Sequence, residues 1–129
     1  MDENINEIDM GIVKISDEVV GVISALATTE IDGVAGMSDS LVGGIAHILK
    51  GKKNLSKGVK VNVLEDSSSV DLYIVVDYGV NIAEVSKLVQ ENVKKAVETM
   101  TGLTVSQVNI HVENVSISKS EVEIDENEN

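Results

Sequence analysis

Two histidines, His47 and His111, are the residues best suited to proton transfer or metal binding in this chain of 129 residues. They stand far apart in sequence, with no H-x-x-H or H-E-x-x-H spacing to set two imidazoles on one helix face, so both read as surface or structural residues. No serine occupies a G-x-S-x-G elbow. There is no cysteine, which removes disulfides, thiolate nucleophiles and Cys-based zinc sites together. Carboxylates are abundant, but in an acidic chain a pair of them signals nothing by itself. Two glycine patterns bear on phosphate chemistry. Residues 51–58 (GKKNLSKG) carry lysines and glycines but lack the G-x-x-x-x-G-K-[ST] spacing of a phosphate loop. Gly33 and Gly36 match the G-x-x-G of a KH loop, yet no basic residue lies between them. No catalytic residue, cofactor site or metal site is expected.

One constellation stands out from this background. Lys50, Lys52, Lys53, Lys57 and Lys60 are five of the ten lysines, within eleven residues. The net charge is −12, and there is no arginine to add to the positive side. A positive island in such a chain has three readings: a solvated loop satisfied by the protein's own acidic tails, a docking site for an acidic partner or a neighbouring copy's tail, or a contact with anionic lipid. Such a patch steers encounter more than it sets affinity. With Gly33 and Gly36, these lysines are the candidate partner-binding residues.

The elements that must position this island follow from periodicity. Residues 11–15 (GIVKI) read as a short strand. Ser16 or Asp17 caps a helix over residues 17–30, with Val19, Val22, Ile23, Leu26, Ala27 and Ile31 at helical spacing. Residues 32–58 hold six of the ten glycines, the profile of a functional or mobile connection rather than scaffold. Within it, residues 41–49 could form one or two helical turns. Residues 59–65 and 70–78 alternate apolar and polar and form a hairpin around Asp66-Ser67-Ser68-Ser69. Asn81 caps a second helix whose stripe is Val85, Leu88, Val89, Val93, Ala96, Val97 and Met100, and Gly102 stops it. Lys87–Glu91, Glu91–Lys95 and Lys94–Glu98 are potential i,i+4 pairs on its solvated side. The last strand changes phase between Val112 and Val115, which predicts a bulge near Glu113 and Asn114.

The order is therefore β-α-(glycine-rich segment)-β-β-α-β. That is an α+β, two-layer sandwich in which two helices cover a small, mostly antiparallel sheet. Residues 1–10 form an acidic tail of charge −4, residues 11–118 the single domain, and residues 119–129 a second acidic, disordered tail of charge −4. This balance disfavours a general nucleic-acid binder, which needs clustered positive charge. The acidic N-terminus does not read as a signal peptide. No apolar run approaches the roughly 18–20 residues of a membrane helix. There is no Phe and no Trp, so the core must be aliphatic and a binding surface must use charge, backbone or aliphatic groups.

Residues 15–20 (ISDEVV), 27–37 (ATTEIDGVAGM), 51–63 (GKKNLSKGVKVNV) and 70–81 (VDLYIVVDYGVN) resemble the alkaline shock protein family of Gram-positive bacteria, the envelope-stress or general-stress proteins. Residues 89–93 (VQENV), 100–103 (MTGL) and 108–112 (VNIHV) continue the resemblance, which covers roughly residues 11–115. The family's usual proline after the first helix cap is replaced here by Asp17. The resemblance implies a cytoplasmic, non-catalytic adaptor in cell-envelope homeostasis, peripheral at the membrane through a small membrane-anchor protein. It also implies two alternatives: regulation of a fatty-acid-synthesis enzyme, acetyl-CoA carboxylase, or homo-oligomeric self-assembly. It implies neither nucleic-acid binding nor direct membrane insertion.

Overall fold

The computed structural model describes residues 10–38 and 57–117. In chain order these form α1 (Asp17–Thr29), β1 (Val34–Met37), β2 (Val59–Val63), β3 (Ser67–Asp77), α2 (Ile82–Thr101) and β4 (Thr104–Ser116). The helix ends follow local chemistry. The Ser16 hydroxyl accepts from the Val19 amide at 3.3 Å and the Asn81 side chain from the Glu84 amide at 3.0 Å, each satisfying a donor that the first helical turn leaves open. Gly102 closes α2 where the sequence places its stop.

β3 is the axis of the sheet. Its outer flank on one side is shared by two short antiparallel strands, β2 along Ser68 to Leu72 and β1 along Ile74 to Val76. On the other side β4 runs parallel to it over its whole length, joined through α2 as a β-α-β crossover. Both helices pack on one face. Val70, Leu72, Ile74 and Val76 point into that layer and meet Val20 and Ile23 of α1 and the line Val85, Val89, Val93 and Val97 of α2.

The element order departs from expectation at its start. Residues 11–15 form no strand, because both flanks of β3 are already taken; Ile12 and Val13 stay more than four-fifths exposed. The strand that does form there is β1, inside the glycine-rich stretch. The fold remains a two-layer α+β arrangement. The bulge expected near Glu113 is present, where Ile74 pairs with Val112 and Val75 with Asn114, and a second one lies at Ser106. Each bulge restores the phase that keeps Val105, Val108, Ile110, Val112 and Val115 on the helix side.

α1 buries a different stripe from the one its large residues suggest. Val20, Gly21, Ile23, Ser24, Ala25, Ala27 and Thr28 face inward, while Val19 and Leu26 are exposed. Small side chains let the helix lie close to α2, where the Asn92 amide donates to the Ala27 carbonyl at 2.8 Å and to Glu30 at 3.0 Å. That bond gives one of the orphan carbonyls at the end of α1 a partner.

The Lys94–Glu98 pair does more than decorate a solvated face. Glu98 Oε2 accepts from Lys94 Nζ at 2.8 Å and from the Val105 amide at 2.9 Å, and so pins the start of β4 to α2. The hydrogen bond from Lys94, then that from the Val105 amide, holds the Glu98 carboxyl below its ordinary value of 4.5. Because the folded state favours the charged form, this contribution is present above that value and is lost as pH falls through the lower folded one. Urea unfolding of Glu98→Gln against wild type should show a stability gap at about pH 7 that closes on acidification towards about pH 3. A gap independent of pH would show that the carboxylate charge contributes nothing.

Candidate functional site

The helices cover one face of the sheet, and the alternation of β3 sends Asp71, Tyr73, Val75 and Asp77 to the other, where they are half-buried. The register fixes their neighbours. Asn109 lies beside Asp71 and His111 beside Tyr73 on β4, Lys60 lies opposite Asp71 on β2, and Gly36 lies opposite Val75 on β1.

A polar cluster forms at the centre of this uncovered face. The rings of Tyr73 and His111 stack with centroids 4.4 Å apart and planes 9° from parallel. His111 Nε2 lies 3.0 Å from Asp71 Oδ1. A carboxylate only accepts, so Nε2 is the nitrogen that carries the proton, and Asp71 fixes the ring's orientation. The backbone of Tyr73 has a second role. Its carbonyl accepts from the Ser38 amide at 2.7 Å and its amide donates to the Gly58 carbonyl at 2.8 Å. Ser38, after β1, and Gly58, before β2, are therefore held at one residue of the central strand, whose side chain heads the uncovered cluster.

The candidate residues divide on this frame. Lys60 is exposed on the uncovered face, Gly36 lies on that face with open space above its Cα, and Lys57 is half-buried in the turn into β2. Gly33 sits elsewhere, under α2, with φ +103° and its carbonyl accepting from the Asp77 amide at 2.8 Å. A methyl group there would lie 2.8 Å from Val85 Cγ2, so helix packing alone accounts for a glycine at this point. Lys50, Lys52, Lys53 and His47 lie outside the described residues, as do the helical turns expected over residues 41–49 and both acidic tails. The Asp71–His111–Tyr73 cluster escaped the sequence reading. Its only signal was the placement of Tyr73 and His111 on the polar parity of their strands, and the parallel register that joins them is not written locally.

Among the described residues no three His, Asp or Glu side chains are grouped to hold a metal ion. A cleft of about 340 Å³ lies away from the cluster, against Val13, Ile15, Val63, Leu64 and Leu103, and is lined mainly by aliphatic groups. No helix among the described residues is long and apolar enough to cross a membrane.

Comparison with known proteins places the chain in context. The model of the alkaline shock protein 23 family, described by its cell envelope-related function, matches residues 5–117. The Bacillus subtilis protein YqhY is 40% identical over 119 residues, covering 91% of this chain and 87% of its own length. A Streptococcus pyogenes protein named as a homologue of the stress response regulator gls24 is 29% identical over 96 residues, covering 74% of this chain and 54% of its own. Among solved structures, the MamM CTD aligns with TM-score 0.46 at 15% identity over 75% of this chain and 93% of that one.

Proposed function

Because the chain belongs to the alkaline shock protein 23 family, of cell envelope-related function, we propose that it is a non-catalytic adaptor that docks a protein partner. Docking runs through the lysine-bearing segment and the uncovered face beside it, with Lys50, Lys52, Lys53, Lys57, Lys60 and Gly36 as the contact residues and Gly33 as the packed turn that sets β1. In this reading the protein works in the cytoplasm and meets the membrane through its partner. The observation that supports the proposal is that Ser38 and Gly58 are both hydrogen-bonded to the backbone of Tyr73. Ser38 and Gly58 bracket a stretch that holds four of the five island lysines, and Tyr73, to which both are bonded, shares the uncovered face with the fifth, Lys60. A concave catalytic centre would enclose its reacting groups; here the polar groups lie on an open sheet.

The test is a crosslinked pull-down from native cytosol, comparing wild type with Lys50, Lys52, Lys53 and Lys57 all changed to Glu. One partner should drop by about tenfold or more in the variant, and its capture by wild type should weaken with added salt, since charge steering is screened. Its identity, a membrane-anchor protein or a biosynthetic enzyme, then names the pathway. Equal recovery by both proteins would contradict docking through the lysines.

A further inference from the structure

The outer edge of β4 is treated in two ways along its length. At its start, α2 side chains occupy the outward backbone groups: Glu98 accepts from the Val105 amide at 2.9 Å, Lys94 donates to the Val105 carbonyl at 3.2 Å, and Gln90 donates to the Val108 carbonyl at 2.9 Å. Strand alternation turns the next outward groups to Ile110, Val112 and, past the bulge, Val115, whose amide donates to Asn114 Oδ1 at 2.8 Å, while Ser116 faces inward and its carbonyl accepts from the Tyr78 amide. Among the described residues no side chain reaches the edge at Ile110 or Val112 in the way α2 reaches Val105 and Val108. The apolar side chains also emerge here: Val112, Val115 and Ile117 are 36%, 43% and 61% exposed. On the opposite face of the same stretch, Tyr73 covers one side of the His111 ring, which leaves the other side turned to the strand's outer edge. β3 and β4 together carry Asp71, Asp77 and Glu113 and no lysine.

The geometry points to strand addition at residues 110–112 of β4 by an extended segment of a partner protein, apolar on one face and arginine-rich on the other. The incoming backbone pairs with Ile110 and Val112, its apolar side chains cover Val112 and Val115, and a guanidinium stacks on the free side of His111 near the Asp71 carboxylate. A second copy of this chain is a poorer occupant, because each copy carries a net charge of −12 and neither β3 nor β4 has a lysine to meet it. The inference rests on the reading that the chain works by docking a protein, and adds a second surface to it on the far side of β3 from Lys60.

The probe is a capped peptide of alternating valine and arginine, added to the full chain and followed by NMR amide shifts and hydrogen exchange. Exchange at the Ile110 and Val112 amides should slow by about tenfold or more at saturation, while a peptide of alternating valine and glutamate leaves both unchanged. Val112→Pro removes the outward donor and should weaken binding by about tenfold. If that variant does not fold, His111→Ser, at an exposed position, should still weaken binding several-fold, roughly the loss of one stacked cation. Three results would overturn the inference: no protection at Ile110 and Val112, shifts confined to the acidic termini or to β2, or protection of the same amides through dimerisation without peptide. None of them bears on the lysine pull-down, which reads a different surface.

Discussion

Replacing Gly58 with alanine should lower the unfolding free energy by about 3 kcal/mol, with a matching fall in the urea midpoint. The backbone of Gly58 has φ +81°, a region that costs an L-residue roughly 1–2 kcal/mol. The new methyl group would lie 2.9 Å from the Ser38 carbonyl oxygen, 3.1 Å from Met37 Cβ and 3.1 Å from the Tyr73 carbonyl oxygen. Two of these three are backbone atoms of β3 and the end of β1, held by the bonds that close the junction, so they cannot swing aside as a side-chain tip would. A loss below about 1 kcal/mol would mean that the chain enters and leaves residues 39–56 more loosely than the Tyr73 bonds require.

Leu72→Ala should cost about 4 kcal/mol, in the upper part of the usual range for buried leucine. Leu72 is fully buried at the middle of the central strand, with Val59 and Ile110 as its register partners. The surrounding core is mostly valine and isoleucine, whose branched side chains are stiff at χ1 and refill a hole poorly. With no Phe or Trp in the chain, no large ring can swing in to occupy the space. Urea unfolding measures the loss, and a value under about 1.5 kcal/mol would show a core that collapses around the deletion. Stability in domains of this size is only about 5–15 kcal/mol, so either substitution removes a large share of it.

Much of this architecture is legible in the residues themselves. Ser16, Asn81 and Gly102 mark helix ends by local hydrogen bonding and backbone preference, which need no tertiary information. The phase change between Val112 and Val115 announces a bulge because a strand must keep one apolar face. What escaped is what depends on a partner strand or helix. β1 consists of Val34, Ala35, Gly36 and Met37, with little intrinsic strand preference, and exists because β3 offers it an edge. Residues 11–15 have the better strand composition yet pair with none of the four strands. In α1 the exposed Leu26 and the buried Ser24 and Thr28 reverse the simple apolar pattern, because close helix packing selects for size over hydropathy. The cluster of Asp71, Tyr73 and His111 depends on the parallel register of β3 and β4, set across the whole length of α2.

The most direct test of docking through the lysine-side face is site-specific crosslinking in living cells. A photo-crosslinking amino acid is placed in turn at positions 60 and 62, on the uncovered face, and at positions 26 and 95, on the exposed side of the helices. The account predicts one shared crosslinked partner from positions 60 and 62 and none from 26 or 95. Capture of that partner from the helix positions, with none from 60 and 62, would contradict it.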